Sequence, residues 1–585
     1  MNYRLNTTDK EAKVSLLGAL HRLAPLMQGE SHNLVVVCFA ILVNSGSALI
    51  APILIGHAVD QYIVGKNFHG VLVYSGYLFV VFTVGLVATY MQTKTMGGVA
   101  RRILFNLRNA LFTKLQSLPV AFFNQNKAGD LISRINNDTD KLNQFFAQAL
   151  MQFLGSFFLI VGAAVFLLSL NFKLGGAALL PALIVLFITQ LISGWVKRKN
   201  TESLQSLGSL SAEVQESLAN FKVIVAFDRL DYFREKFNDA NQQNYRASIN
   251  AGIANNVFTP IYTLASSIAQ LIVLTLGIYF IQTGSLSIGL LIGFFLYVNN
   301  FYNPLRQLAS MWSSLQQALA AFDRISEVLA LQSNMPVLPA PQALRGAPLL
   351  QFENVSFGYP GGKEVLRNIN FSLEKGKTYA LVGPTGGGKT TTASLMARLY
   401  DPTGGIILLS GADIRTYDPK VRVQKIGFIL QEPFLFSGTI HDNIVYGNEQ
   451  YSDKSSTEML DILTNANLHG LLQRFEKGLD TAVTTGGDSI SLGQKQLIAF
   501  MRAALRKPEL LILDEATANI DTVTEQLLEE ILEKLSAETT KVIIAHRLNT
   551  IQNADEIFFV NGGEITKAGS MENAVNLLLH DKRKS

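Results

Sequence analysis

The sequence predicts a multidomain chain: an all-α domain of six membrane-spanning helices with long helical extensions, fused to a C-terminal α/β domain. Three observations predict it. Long apolar runs crowd into the first half and stop near residue 305. The stretch 331–348 then gathers Pro336, Pro339, Pro341 and Pro348 among small and polar residues, the composition of a linker. Beyond it, Gly383-Pro384-Thr385-Gly386-Gly387-Gly388-Lys389-Thr390 stands between a short apolar run and a helix-like run. The expected boundaries are 1–30 for a cytoplasmic N-terminal segment, 31–330 for the membrane domain, 331–348 for the linker and 349–585 for the α/β domain.

Composition narrows the class. At 585 residues the chain is too long for a single hydrophobic core. Charged residues are 16% of the chain and hydrophobic residues 48%, with a mean hydropathy of +0.24. Soluble domains average about 25% charged residues, so this is the balance of a membrane protein. A net charge of +4, without a basic stripe interleaved with aromatics, argues against nucleic acid as a partner. The single cysteine, Cys38, lies in an apolar run, so one chain builds neither a disulfide framework nor a thiolate–zinc cluster.

Residues 11–30 mix leucines with Lys13, His21, Arg22 and Glu30, an amphipathic pattern that reads as an interfacial helix or an ordinary soluble one. Six stretches then have the length of a span: roughly 34–59, 70–92, 144–169, 172–194, 253–281 and 285–305. The last carries Tyr297, Asn299, Asn300, Tyr302 and Asn303. Polar groups of this kind face a bundle interior or a water-filled path, or sit at the interface near a helix end. Asn44, Asn255, Asn256, Gln270, Asn299 and Asn300 either line a path or serve helix packing.

Charge sets the orientation. Lys94–Lys141 and Lys197–Arg246 each hold eight Lys or Arg, while the loops on the other side hold only Lys66 and Lys173. The two long connections, the N-terminus and the C-terminal half are therefore expected in the cytoplasm. Ile103, Leu107, Leu111 and Leu115 in the first connection, and Val214, Leu218, Phe221 and Val225 in the second, have helical spacing. Each connection reads as a pair of helices turning near Phe122–Asp130 and Leu218–Asp228. Phe122 and Phe123 at such a tip suit a docking surface better than a solvated hairpin. After Pro304, Leu308, Trp312, Leu315, Leu319, Phe322 and Ile325 continue a helix toward the linker.

The second half carries the chemistry. Gly383–Thr390 fits G-x-x-x-x-G-K-[ST], with Thr378–Val382 before it as a buried strand and Thr391–Arg398 after it as a helix. The glycines bring backbone N–H groups to phosphates, Lys389 reaches the outer phosphates and Thr390 suits magnesium. Leu510–Leu513 is an apolar strand that ends in Asp514 and Glu515 at the edge where open α/β sheets bind ligands. Asp514 fits a magnesium carboxylate and Glu515 a group that polarises water. Gln431 and His546 each follow an apolar strand. Ser491-Leu492-Gly493-Gln494 opens another helix with free N–H groups.

Together these motifs resemble the ATP-binding cassette exporters over almost the whole chain. The resemblance implies that Gly383, Pro384, Thr385, Gly386, Gly387, Gly388, Lys389, Thr390 and Thr391 hold the phosphates of ATP, and that Tyr359 stacks on adenine. It implies that Thr390, Gln431 and Asp514 serve Mg2+, and that Glu515 and His546 are catalytic. Ser491, Gly493, Gln494 and Asp521 would contact the nucleotide across a dimer interface. The cofactors implied are ATP and Mg2+. The partners implied are a second exporter subunit, membrane lipid and a small-molecule or lipid cargo moved by alternating access. Two departures stand out. The usual Leu-Ser-Gly-Gly-Gln signature has Ile490 and Leu492 here, and Gly387 replaces a common serine. An altered signature beside an intact Glu515 favours a heterodimer over a homodimer. A lipid flippase, a siderophore or metal-chelate importer of exporter-like fold, and an ATP-gated channel or regulator are the competing readings.

Overall fold

The computed structural model describes residues 3–5, 24–27, 29–339, 346–484, 490–514, 522–535, 537–544, 553–569 and 571–580. The chain forms two compact units. One holds Leu5–Gln116 and Ala128–Ala330; the other holds Met1–Arg4, Ser117–Lys127 and Leu331–Ser585. The second unit thus takes in a short piece of the first half, the tip of the first long connection. Of the interfacial segment expected at 11–30, the structure describes a 3-10 turn at Ala24–Met27, and 11–23 and 28 lie outside the described residues.

The first unit is all-α. Its helices are α1 (Ser31–Ile63) and α2 (Phe68–Gln116), then, past the tip helix α3 (Val120–Gln125), α4 (Ala128–Leu170), α5 (Phe172–Ala219), α6 (Phe221–Ala226), α7 (Leu230–Gln282) and α8 (Ile288–Ala330). Helix α2 runs unbroken for 49 residues. At 1.5 Å per residue that is about 70 Å, more than twice a hydrocarbon core of about 30 Å, so span and cytoplasmic extension are one rod. Ile103, Leu107, Leu111 and Leu115 are all buried on it, as their spacing predicted.

Among the described residues, five helices are long and apolar enough to cross a membrane: α1, α2, α4, α5 and α7. Of the six expected spans, the one at 285–305 falls short on this measure. Helix α8 is continuous through Pro304, yet Tyr297, Asn299, Asn300, Tyr302 and Asn303 dilute its apolar stretch. Tyr297 and Tyr302 are almost fully buried in the bundle, Asn299 and Asn300 are half-buried, and Asn303 is exposed.

Their partners follow from the backbone. Pro52 interrupts α1 and has no N–H to give the carbonyl of Ala48 four residues back. In lipid an orphan carbonyl has no water to turn to. Asn300 Nδ2 donates to that carbonyl at 3.0 Å, and Tyr297 donates to the next one, Leu49 O, at 2.5 Å. Helix α5 contains Pro181, and Tyr302 donates at 2.9 Å to Ala178 O, the carbonyl next to the one Pro181 leaves, as Tyr297 does at Leu49 in α1. Other polar groups also serve packing. Gln270 donates to Asn299 at 3.0 Å, and Asn200 and Asn255 exchange bonds at 2.8 and 2.9 Å. Gly56 and Gly289 let α1 and α8 touch: a Cβ on Gly289 would lie 1.9 Å from Gly56 O. Asp60 then accepts from Gly289 N at 2.7 Å, capping α8.

At the cytoplasmic side, charge ties α4 to the end of α8. Arg134, 1% exposed, donates to Asp130 at 3.0 Å, to Glu327 at 2.9 Å and to the carbonyl of Arg324 at 2.6 Å. Arg324 reaches Asp130 at 2.7 Å in turn. A buried guanidinium this well satisfied holds two helices in one register. Arg102 grips Glu30 at 2.7 Å and holds its carboxyl down at about 2.

The second unit contains two sheets that matter for the site. A four-stranded antiparallel sheet has the order β2-β1-β4-β5, with β1 at Leu350–Gly358, β2 at Glu364–Leu373, β4 at Gly404–Leu409 and β5 at Ala412–Asp413. The other sheet contains β3 (Thr378–Val382), β6 (Ile426–Ile429), β7 (Leu510–Asp514), β8 (Thr540–Ile544), β9 (Glu556–Asn561) and β10 (Glu564–Lys567), in the order β10-β9-β3-β8-β7-β6. All its pairings are parallel except β9 with β10. Strand β7 is buried at every position, as a strand covered on both faces requires.

Replacing Asn300 by Leu should destabilise the membrane unit by about 1–2 kcal/mol, because it orphans Ala48 O. The same change in a Pro52→Ala background, where residue 52 regains its N–H, should cost much less. Equal costs in thermal unfolding of both backgrounds would show that Asn300 does not serve the proline gap.

Candidate nucleotide-binding site

The site is built at the C-terminal edge of the parallel sheet. Strand pairing sets Ile544 opposite both Leu381 and Asp514, so β3, β8 and β7 end at one level. The phosphate loop leaves β3 one residue later. Gly383, Gly386 and Gly388 have φ of 146°, 82° and 114°, conformations that a side chain would strain. Gly388 caps helix α9 (Lys389–Met396), so the loop feeds N–H groups straight into a helix N-terminus.

Lys389 is buried, and its Nζ donates to Gly383 O at 2.8 Å and Pro384 O at 3.1 Å. Both acceptors belong to the loop itself, so the cation lies over the turn it is expected to serve. Pro384 is half-buried and Thr385 exposed on the same loop. Thr390 Oγ1 lies 3.4 Å from Asp514 Oδ1. A hydroxyl on the loop and a buried carboxylate at a strand end, brought together from residues far apart in sequence, form the oxygen pair a magnesium ion takes. The donor set therefore fits the implied Mg2+. Gln431 lies in an exposed turn after β6, and its carbonyl is 3.5 Å from Gln496 Nε2.

Tyr359 follows β1 directly. Its hydroxyl is 3.2 Å from Thr391 Oγ1, and its ring meets Tyr400 edge-on at 5.3 Å. Tyr359 is 37% exposed, which leaves ring surface for stacking. Tyr400 is a residue that motif reading passed over, since no spacing rule marks an aromatic at the end of this helical turn. Its hydroxyl accepts from Asn124 Nδ2 of the inserted tip at 2.6 Å. Burial pushes its phenol up, and the bond from Asn124 opposes that shift.

Ser491 caps helix α10 (Leu492–Ala504) in a capping box: Gln494 N donates to Ser491 Oγ at 3.2 Å, and Ser491 N donates to Gln494 Oε1 at 3.1 Å. Gln494 Nε2 donates to Arg474 O at 2.9 Å. Ile490 is buried in the core, Gly493 is buried, and Leu492 is 36% exposed. Glu515, Asp521 and His546 lie outside the described residues.

Gly387 is a second feature whose packing the motif does not show. A Cβ at this position would stand 2.5 Å from Val560 O and 3.1 Å from Pro384 O. The missing serine is therefore a fit to the end of β9 and not a neutral swap. Gly387→Ser should weaken ATP binding or lower the unfolding temperature, because a backbone atom must give way. Unchanged affinity and stability, by titration and thermal unfolding, would show that the loop relaxes without cost.

Two family models match the chain. ABC transporter transmembrane region covers residues 34–305, and ABC transporter covers 366–518. The uncharacterized ABC transporter ATP-binding protein YfiC of Bacillus subtilis is 33% identical over 566 residues, 95% of this chain and 92% of the relative. The fatty acid ABC transporter ATP-binding/permease protein of Mycobacterium tuberculosis is 32% identical over 481 residues, 82% of this chain and 76% of the relative. The putative multidrug export ATP-binding/permease protein YgaD of Bacillus subtilis is 32% identical over 475 residues, 80% of this chain and 81% of the relative. The chain belongs to the ABC transporters: it is a multi-pass membrane protein in which a helical transmembrane domain is fused to a cytoplasmic, ATP-hydrolysing α/β domain.

Proposed function

We propose that this chain is one half of a dimeric ATP-driven exporter that moves amphipathic or hydrophobic cargo out across the cytoplasmic membrane by alternating access, α8 serving as the sixth span. The observation that carries the dimer is the contrast between its two cytoplasmic tips. In the first tip, Phe122 is fully buried within the unit that contains the cassette. In the second, Ile224 is buried but Leu218 is 71% exposed and Phe227 75%, with Phe221, Val223 and Val225 exposed beside them. An apolar cluster at a cytoplasmic turn calls for a cover, and a second subunit's cassette is the cover this reading supplies.

Within that reading the site residues take the following roles. The loop Gly383–Thr390 and Thr391 bind phosphates, Tyr359 stacks on adenine, and Thr390, Gln431 and Asp514 hold Mg2+. Glu515 orients the attacking water and His546 contacts the terminal phosphate. Ser491, Gly493, Gln494 and Asp521 serve the partner's nucleotide. The hydrogen bonds of Ser491 and Gln494 close on each other and on Arg474, not on this chain's phosphate loop, which supports their serving a site in trans. ATP binding favours the closed dimer through its higher affinity for that state, and the tips carry closure to the spans. The exposed Leu492 puts an isobutyl group where close approach to a nucleotide is wanted, which supports a heterodimer in which the partner's site is the weaker one.

Two relatives, one named for multidrug export and one for fatty acid transport, support an apolar or amphipathic cargo. The second, with a bundle whose polar groups are largely spent on packing, favours lipid as an alternative cargo and flipping as the movement.

The test is magnesium-dependent ATPase of the chain alone in lipid nanodiscs, against Glu515→Gln, with native mass on the same sample. A monomer or a silent dimer that gains turnover only with a second subunit is the expected result. A two-copy complex with Glu515-dependent turnover would replace the heterodimer with a homodimer.

A further inference from the structure

Tyr3 lies far in sequence from every motif, yet it is 1% exposed. It sits in the cassette unit, between the first tip and the start of the linker. Its backbone engages the tip: Tyr3 N–H donates to Gln125 Oε1 at 2.9 Å, and its carbonyl accepts from Asn126 Nδ2 at 3.0 Å. Its ring stands edge-on to Phe122, centroids 6.4 Å apart at 89°. Its hydroxyl engages the linker. It donates to Asn334 Oδ1 at 2.7 Å and accepts from Asn334 N–H at 2.7 Å, with Gln332 O at 3.1 Å.

The two segments that Tyr3 joins are each fixed to the cassette elsewhere. The linker is held by buried Arg398, whose Nη2 donates to Pro336 O at 2.8 Å, and by Leu338 N–H donating to Arg415 O at 2.9 Å. The tip is held by the 2.6 Å bond from Asn124 to Tyr400, whose ring abuts the nucleotide-side Tyr359. Between these anchors, residues 332–334 and 122–126 have no regular ladder in common. Tyr3 bridges them, bonded to 125–126 through its backbone and to 332–334 through its hydroxyl. Its phenol is pushed up by burial, so the hydroxyl stays protonated and able to donate through the physiological range.

We infer that Tyr3 is a positioning residue for energy coupling, pinning the first cytoplasmic tip to the linker so that cassette movement reaches the membrane helices and is not lost in a hinge. This rests on the reading that the tips transmit cassette closure. A residue with this role should leave nucleotide affinity alone and change only what ATP does at a distance.

The experiment is hydrogen exchange of the assembled full-length transporter in nanodiscs, in a Glu515→Gln background, with and without ATP and Mg2+. In Tyr3→Phe, which keeps the ring against Phe122, exchange across 119–127 should rise roughly fivefold, the equivalent of one lost buried hydrogen bond. In Tyr3→Ala, ATP affinity should stay within about twofold, while the ATP-induced change in exchange at the outer loops, 63–68 and 170–174, should fall several-fold. Tyr3→Phe should lie between Tyr3→Ala and the unsubstituted chain. An outer-loop response in Tyr3→Ala equal to that of the unsubstituted chain overturns the inference. If Tyr3→Ala does not assemble, an unaltered Tyr3→Phe overturns it on its own. If the unsubstituted chain itself shows no outer-loop response to ATP, the transmission reading fails first and the role of Tyr3 falls with it.

Discussion

The parallel pairing of three strands is the constraint from which the nucleotide site follows. Leu381, Ile544 and Asp514 stand in one row across β3, β8 and β7. Because these strands run the same way, everything the chain places just beyond their C-terminal ends gathers at one edge. The phosphate loop leaves one end. Asp514 closes another, buried where its charge needs a partner, with the Thr390 hydroxyl at 3.4 Å. A slip of one residue between β8 and β7 would turn Asp514 to the other face of the sheet and separate it from Thr390. Burial of β7 at every position makes that slip costly.

The same economy of satisfied backbone runs through the membrane unit. Pro52 and Pro181 each leave a carbonyl gap in a helix, and α8 offers Asn300, Tyr297 and Tyr302 to carbonyls beside those gaps. The polarity that makes α8 a poor lipid-facing segment is what lets it staple the bundle. At its cytoplasmic end α8 is bound to α4 through Arg134. The chain then passes into the linker, where Tyr3 and Arg398 fix it to the cassette unit.

Much of this was legible in the sequence, for reasons that differ by element. The phosphate loop could be read because its geometry demands glycine at φ values other residues avoid, and Gly383, Gly386 and Gly388 hold such values. Strands β3, β7 and β8 could be read because strands buried on both faces are continuous apolar runs. The burial of Phe122 could be read because a phenylalanine at a hydrophilic turn has little local use, although Phe123 beside it stays exposed. What could not be read depends on pairing over distance. Nothing near Asn300 in sequence says that Ala48 lacks a donor. Tyr3, Asn124 and Tyr400 carry no motif, and their roles exist only once the tip is folded against the cassette. The polar residues of α8 were ambiguous between a path and packing, and the partner carbonyls of Tyr297, Asn300 and Tyr302 show these three engaged in packing. The same residues are why the sixth expected span falls short of the others in apolar composition. Nothing near Gly387 in sequence says that Val560 O stands where a side chain would go.

The most direct test of the site is whether Asp514 makes ATP binding depend on magnesium. Titration of ATP into the nanodisc-embedded transporter, with Mg2+ and with a chelator, should show tighter binding with the metal. Asp514→Asn should lose that gain by about 10–100-fold, with little change in the metal-free affinity. If Asp514→Asn binds ATP with the same magnesium dependence as the unsubstituted chain, the Thr390–Asp514 pair is not the metal site, and the chemistry assigned to this strand edge is wrong.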